Sequence, residues 1–192
     1  MRSCGSLIDD KPLTTINLNE FRNITGVVPQ EVFLFSDTIE NNLKFGTLDD
    51  SATEQDLINA TKMSHVYHNI DSFKDGFQTI LGERGVNLSG GQKQRLSISR
   101  ALIRNPKLLI LDDCLSAVDT ETEEIILKNL KEIPSNPTTI IVSHRISSIR
   151  NANRIIVISN GSIVEEGNHE SLIKNKGLYS EMYLNQLNED KT

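Results

Sequence analysis

The sequence has few of the features that mark several large classes of protein. Its 192 residues include two cysteines, Cys4 and Cys114, which are too few and too far apart to suggest a disulfide scaffold or a zinc site. No apolar run approaches the roughly 20 residues that a membrane-spanning helix needs. The net charge of −6 argues against nucleic acid as the main ligand. We therefore expect one globular domain with reduced thiols, no direct insertion into a membrane and no nucleic-acid partner.

The most informative stretch is Leu88-Ser89-Gly90-Gly91-Gln92, which precedes an apolar pattern of helical spacing over residues 96–104. The adjacent glycines leave backbone N–H groups uncovered, and Ser89 stands where a helix N-cap is expected. Exposed N–H donors at a helix start favour an anion, although the helix dipole adds only ~0.3–1 kcal/mol at a surface. Because a Gly-Gly pair alone more often marks an ordinary turn, this stretch indicates a function only in combination with other motifs of the chain.

Polar side chains of the kind that handle phosphate or metal follow three predicted strands. Gln30 follows the strand at 23–29, Asp112 closes the strand at 107–111 with Asp113 next, and His144 leaves the strand at 138–142. Ligands of open α/β sheets collect at the carboxyl ends of strands. An aspartate placed there can hold Mg²⁺ through water. Each residue alone has an ordinary structural explanation, so the prediction depends on the whole set.

In this order the glycine stretch, the paired aspartates and the isolated histidine resemble the nucleotide-binding domain of ATP-binding cassette (ABC) transporters, more closely its exporter branch. Residues 88–92 are identical to that family's signature motif, and residues 107–113 and 116–119 match its Walker B motif and D-loop. The resemblance runs from about residue 6 to the C terminus. It implies an α/β, P-loop NTPase-like fold: a parallel sheet flanked by helices, incomplete at its N terminus, with a helical subdomain.

The same resemblance implies approximate subdivisions of the chain. The helical subdomain with the signature would occupy about 36–100, and the catalytic core would occupy 101–187, with a polar tail at 188–192. Residues 33–43 would face the transmembrane domains of a transporter. The protein would then act at the cytoplasmic face of a membrane, as the ATPase of an exporter.

The resemblance also implies a role for each site residue. Gln30 would sense metal and γ-phosphate, Asp112 would hold Mg²⁺, Asp113 would be the general base, and His144 would contact the γ-phosphate and steady the attacking water. The residues expected to contact ATP held by a second nucleotide-binding domain, or to lie at that interface, are Leu88, Ser89, Gly90, Gly91, Gln92 and Asp119. The implied cofactors are ATP and Mg²⁺, and the implied partners are that second domain and the transmembrane domains.

Three departures from the family pattern modify this expectation. No Gly-x-x-x-x-Gly-Lys-Ser/Thr pattern occurs in the 192 residues, so we expect an N-terminally truncated domain that is inactive and binds ATP weakly or not at all on its own. Most active members carry glutamate where this chain has Asp113, which is shorter by one methylene. Ile80 replaces an acidic residue expected in the X-loop at 79–85.

The aspartate suggests which kind of exporter this is. General-base catalysis typically raises a rate by ~10²–10⁴. Because the carboxylate of Asp113 is expected to lie too far from the attacking water, the sequence predicts slow hydrolysis at this site. An intact signature beside a weakened base predicts one half of a heterodimer, whose signature serves the partner's competent site.

Two other classes remain as alternatives. A soluble cassette ATPase of translation or DNA maintenance is disfavoured by the exporter-like residues 28–46 and by the lack of a coiled-coil insertion or basic arm. A non-catalytic binding module or remnant is compatible with the missing P-loop pattern.

Local signals complete the prediction. We expect helices at 53–63, 64–73, 170–174 and 178–187, a helix capped by Asp119 or Thr120 with a capping box from Thr120 to Glu123, and a hairpin around Asn160-Gly161.

Overall fold

The computed structural model describes residues 7–47 and 51–189, which form an α/β arrangement. Its strands are β1 (Leu7–Ile8), β2 (Lys11–Pro12), β3 (Thr25–Val28), β4 (Leu108–Asp112), β5 (Thr138–Val142), β6 (Ile155–Ser159) and β7 (Ser162–Gly167). Its helices are α1 (Leu18–Asn23), α2 (Ile39–Lys44), α3 (Glu54–Met63), α4 (Tyr67–Asp71), α5 (Gly90–Leu102), α6 (Thr120–Lys131), α7 (Ile146–Ile149), α8 (His169–Asn175) and α9 (Leu178–Glu189). Cys4 and residues 190–192 of the expected polar tail lie outside the described residues.

The central sheet is parallel, with strand order β3-β4-β5. Its strands are rich in Val, Ile and Leu, as is typical of parallel strands that are buried on at least one face. On the buried face, Leu109 and Leu111 pack with residues of α5 and α6 that include Ile98 and Ile126. Because the strands run in the same direction, Gln30, Asp113 and His144 emerge at one edge. The predicted parallel sheet flanked by helices is confirmed.

The opposite face of the sheet exposes apolar side chains. Val27, Ile140 and Val142 are 54%, 47% and 51% exposed. Val27 and Ile140 lie on either side of Ile110 in the strand register, so they form one row across the sheet.

Helix α5 joins two cores. Its residues Ile98 and Ala101 belong to the core beneath the sheet, whereas Leu96 packs in a second core with side chains of α2, α3 and α4. The buried residues of this second core lie between Leu34 and Leu96 in the chain, and the subdivision into a helical subdomain at about 36–100 and a catalytic core at 101–187 stays a prediction. A third core lies between β6, α7 and the C-terminal helices α8 and α9, around Ile146 and Tyr179.

Most local predictions agree with the structure, and three need correction. The strand at 23–29 is shorter, because Asn23 ends a helix, α1, that the sequence pattern did not reveal. The helix at 64–73 contracts to α4. The capping box from Thr120 to Glu123 is wrong, because Asp119 caps α6 by accepting from the Thr122 N–H at 2.9 Å, and Glu123 is buried instead.

The hairpin around Asn160-Gly161 is confirmed. Both residues have positive φ, 50° and 74°, which is the conformation that a two-residue turn between β6 and β7 requires. Across residues 7–47 and 51–189, no helix combines the length and the hydropathy needed to cross a membrane.

Candidate active site

Three predicted catalytic side chains meet at the carboxyl edge of the central sheet. Nδ1 of His144 lies 3.0 Å from Oδ1 of Asp113, and Nε2 of Gln30 donates to Oδ2 of Asp113 at 3.3 Å. We call Gln30, Asp113 and His144 the edge cluster. Since a carboxylate only accepts hydrogen bonds, this contact requires that Nδ1 of His144 carries a proton. The carboxylate is therefore held from both sides, each by a side chain from a neighbouring strand end.

The backbone at Asp113 turns sharply away from β4. Its φ is 44°, in the left-handed region, which Asp and Asn adopt more readily than most side chains. Its N–H donates to the Val142 carbonyl at 2.8 Å, which is one of the bonds that pair Asp112 with Val142 at the end of the β4–β5 ladder. The turn is thus fixed by the sheet itself.

Oxygen ligands suited to a hard cation lie at the same edge. Asp112 is the exposed last residue of β4. Gln30 uses its nitrogen on Asp113, which leaves its amide oxygen for a metal. Mg²⁺ keeps several waters and takes few protein ligands, so one carboxylate and one amide oxygen fit its chemistry. The residues present are therefore compatible with Asp112 and Gln30 as metal ligands.

The signature stretch, residues 88–92, forms the start of α5. Ser89 Oγ accepts from the Gln92 N–H at 3.2 Å, and Gln92 Oε1 accepts from the Ser89 N–H at 2.9 Å, a reciprocal capping box. Leu88 is buried in the second core and anchors the stretch. The serine hydroxyl keeps its proton for another acceptor, and the N–H groups of Gly90 and Gly91 belong to the first helical turn, which has no partners within the helix.

The start of α5 packs closely against the D-loop, residues 116–119. A Cβ added at Gly91 would lie 2.8 Å from the Ala117 carbonyl oxygen. Buried Gln94 donates to Ser116 Oγ at 3.2 Å and accepts from the Ala117 N–H at 2.9 Å. Signature stretch and D-loop therefore form one surface, with Asp119 at its end.

The D-loop part of this surface touches the edge cluster, because Ser116 Oγ donates to the Asp113 carbonyl at 3.1 Å, but the signature stretch does not share that contact. Within the described part of the chain, the side-chain hydrogen bonds of Ser89 and Gln92 are to each other. The structure thus brings Gln30, Asp113 and His144 together, and it places Ser89, Gly90, Gly91, Gln92 and Asp119 in another group.

Arg145 joins the His144 segment to the D-loop, and no sequence motif marked it. Its Nη2 donates to the Ser116 carbonyl at 2.8 Å and its Nη1 to the Val118 carbonyl at 3.2 Å. Its Nη1 also lies 3.5 Å from the carboxylate of buried Glu123. The only sequence feature that pointed to a role for Arg145 was its position directly after His144. Gln94 gave a similar hint, since it lies two residues beyond the signature stretch.

Two pKa shifts bear on the chemistry of the site. Hydrogen bonds from Thr122 hold the pKa of Asp119 below its usual range, and nearby Arg95 lowers it further, so Asp119 is ionised at neutral pH. Burial raises the pKa of the Cys114 thiol to about 12. Cys114 is therefore an inert core residue, although it follows Asp113 directly.

Comparison with known proteins gives consistent matches. The family model described as ABC transporter matches residues 1–116. The ABC transporter ATP-binding protein YwjA of Bacillus subtilis is 46% identical over 176 residues, which cover 92% of this chain and 30% of that protein. An ATP-dependent lipid A-core flippase of Desulfotalea psychrophila is 45% identical over 180 residues, which cover 93% of this chain and 31% of that protein.

A solved structure gives the same result. The structure of a bacterial Atm1-family ABC exporter with ATP bound matches with a TM-score of 0.89 and 38% identity, over 94% of this chain and 31% of that one. The chain therefore spans about a third of the length of the relatives that it matches.

Proposed function

The chain belongs to the ABC transporter family, and from this premise we propose that it is the ATP-binding and ATP-hydrolysing part of an exporter. The observation that carries the proposal is the edge cluster. A carboxylate, an imidazole and an amide converge where three parallel strands end. Phosphoryl transfer is catalysed mainly by positioning and electrostatic stabilisation, and these groups can orient a water and a γ-phosphate.

Each residue of the edge cluster has a distinct task in this proposal. Asp113 accepts a proton from the attacking water. His144 donates to Asp113 through Nδ1, and its Nε2 contacts the γ-phosphate when it also carries a proton, because phosphate oxygens accept hydrogen bonds. Beside the edge cluster, Asp112 and the Gln30 amide oxygen would hold Mg²⁺, which would supply positive charge to offset the charge of the phosphates.

The signature stretch serves a different nucleotide. Ser89, Gly90 and Gly91 supply donors to the γ-phosphate of ATP held by a second nucleotide-binding domain, and Asp119 lies at that interface. Support comes from the separation of the two groups, because the side chains of Ser89 and Gln92 accept from each other's backbone N–H groups rather than bonding to the edge cluster. Exposed Phe33 and Phe35 then face the transmembrane domains, and the assembly works at the cytoplasmic face of the membrane.

Asp113 makes this chain the slow half of a heterodimer. Its carboxylate is one methylene shorter than that of glutamate, and it is already held by His144 and Gln30. The intact signature stretch serves the competent site of the partner. The partner's own base then carries most of the turnover.

The test measures ATP hydrolysis by the complete transporter. With the partner's own base removed, so that this site alone is measured, Asp113→Glu is expected to raise kcat by about ten-fold or more, a part of the ~10²–10⁴ that a general base typically contributes, and Asp113→Asn is expected to lower it. Asp75→Glu, an exposed aspartate outside the site, is the matched control. An unchanged rate with Asp113→Glu would refute the weakened base, and so would full-rate hydrolysis by a homodimer.

The 192 residues by themselves are proposed to be inactive. The P-loop backbone, its lysine and its Ser/Thr normally cradle the phosphates and Mg²⁺, and the pattern that supplies them does not occur in this sequence. Titration of the chain with a fluorescent ATP analogue is expected to show no saturable binding in the concentration range, about 1 μM to 1 mM, over which enzymes bind their substrates. Saturable binding in that range would contradict this part of the proposal.

A further inference from the structure

The imidazole of His144 is poorly held by its surroundings. Its side chain is 66% exposed, and the side chain that it contacts, Asp113, lies at one end of the ring. Packing cannot fix such a group, so its direction depends on the backbone that carries it. The contacts that hold the peptides on either side of residue 145 therefore decide where the imidazole points.

Gln186 of α9 holds both of those peptides. Its Nε2 donates to the His144 carbonyl at 2.7 Å, and its Oε1 accepts from the Ile146 N–H at 2.8 Å. The second bond also satisfies the first N–H of α7, where Arg145 occupies the N-cap position without a side-chain cap of its own. One amide group thus fixes two peptide planes.

We propose that Gln186 is a positioning residue for the His144 imidazole, through which the C-terminal helix sets the geometry of the edge cluster. This rests on the proposed function of His144. It assigns to α9 a part in ATP hydrolysis, although Gln186 lies 42 residues from His144 in the chain.

Helix α9 is anchored firmly enough for this role. The Glu165 carboxylate accepts from the N–H groups of Leu178 and Tyr179 at 2.9 and 3.0 Å, so it caps the helix start. Tyr179 is 1% exposed, and its hydroxyl bonds to His169. Ile146 is buried in the same core, so the helix and the segment that it holds share one rigid support.

The other side of the segment is held by different contacts. Arg145 donates to the D-loop carbonyls of Ser116 and Val118, and buried Glu123 accepts from Ser147 and Ser148. These contacts remain when Gln186 is removed. The loss of Gln186 therefore frees the peptide of His144 without unfolding the segment. We expect a local increase in mobility around residues 144–146 rather than a loss of global stability.

The first test is hydrogen exchange in the chain itself. In Gln186→Ala, the Ile146 amide is expected to exchange about three- to ten-fold faster, the factor that one neutral hydrogen bond commonly supplies, while amides of β4 and β5 keep their rates. Asn185→Ala, an exposed neighbour on the same helix, is the matched control and is expected to change neither. Unchanged exchange at Ile146, or equal acceleration at all amides, would overturn the proposal.

A second variant separates the two bonds. Glutamate at neutral pH still accepts from Ile146 but cannot donate to the His144 carbonyl, so Gln186→Glu is expected to keep the Ile146 amide protected. In the complete transporter with the partner's own base removed, so that this site alone turns over, both Gln186→Glu and Gln186→Ala are expected to lower kcat with an unchanged KM for ATP. If Gln186→Ala loosens Ile146 while kcat stays at the value of the unmodified protein, the positioning role is wrong.

The same assays distinguish the positioning role of Gln186 from the proposed function of His144, on which it rests. His144→Ala is expected to abolish turnover at this site. If His144→Ala has no effect on hydrolysis, the proposed function of His144 fails, and the positioning role of Gln186 falls with it. If His144→Ala abolishes hydrolysis and the Gln186 variants do not change it, only the positioning role is refuted.

Discussion

The two glycines of the signature stretch are expected to respond in opposite ways to the same substitution. An added Cβ at Gly91 would lie 2.8 Å from the Ala117 carbonyl oxygen, closer than real Cβ atoms come to their neighbours. At Gly90 the nearest atom is the Ala117 Cβ, 3.4 Å away, which is ordinary contact. Both residues are in the first turn of α5, so each variant is the natural control for the other.

The expected difference in the free energy of unfolding between the two variants follows from two opposing effects. Replacing glycine by alanine in a helix stabilises it by roughly 0.5–1 kcal/mol. Forcing an extra methyl group into close-packed structure typically costs about 1–3 kcal/mol. Gly90→Ala is expected to show the helix stabilisation alone. Gly91→Ala is expected to show the same stabilisation together with the cost of overpacking. We therefore expect Gly91→Ala to be less stable than Gly90→Ala by about 1–3 kcal/mol.

Urea denaturation of the two variants measures this difference directly. Thermal unfolding gives a second measurement, since 1 kcal/mol shifts the Tm of a chain of this size by about 2–4 °C. Equal stability of the two variants, or a less stable Gly90→Ala, would show that Gly91 is not needed for the approach of α5 to the D-loop. The presence of glycine at both positions would then be explained by the exposure of their backbone N–H groups alone.

Three further predictions concern the interior. Ile126→Ala empties a fully buried position on α6 and is expected to reduce the free energy of unfolding by about 2–5 kcal/mol, measured by urea denaturation. Glu123→Ala removes the acceptor of Ser147 and Ser148 and is expected to cost about 1.5–3 kcal/mol in the same assay, as hydrogen bonds to charged groups do. Because the pKa of Cys114 is raised to about 12, its thiolate is scarce at pH 8, and a thiol reagent is expected to modify it only after unfolding.

Each of these three predictions has a control. Ile125→Ala, at a half-buried neighbour, is expected to lose clearly less stability than Ile126→Ala. Glu124→Ala breaks an exposed pair with Arg150 and is expected to change stability by only ~0–1 kcal/mol. For the thiol, a Cys4→Ser background isolates Cys114. Similar losses within either pair of variants, or prompt labelling of Cys114 in the folded chain, would contradict the corresponding prediction.

Features that depend on neighbouring residues could be predicted from the sequence. Ser89 caps α5 and Asp119 caps α6 because a cap needs only its own first turn. Asn160-Gly161 makes a hairpin because the two residues themselves supply the positive φ angles. Gln30, Asp113 and His144 were found because a parallel sheet collects the residues that follow its strands at one edge.

Contacts between distant groups could not be predicted in this way and became visible only in the folded chain. Gln186 reaches His144 only because the third core sets α9 beside α7, and no local pattern on α9 marks that glutamine. Glu123 shows the reverse case, since its local pattern fits a capping box and its burial against Ser148 overrides it. Local signals act over one turn of chain, whereas these contacts join residues 25 to 42 positions apart, so only the packing of the cores selects them.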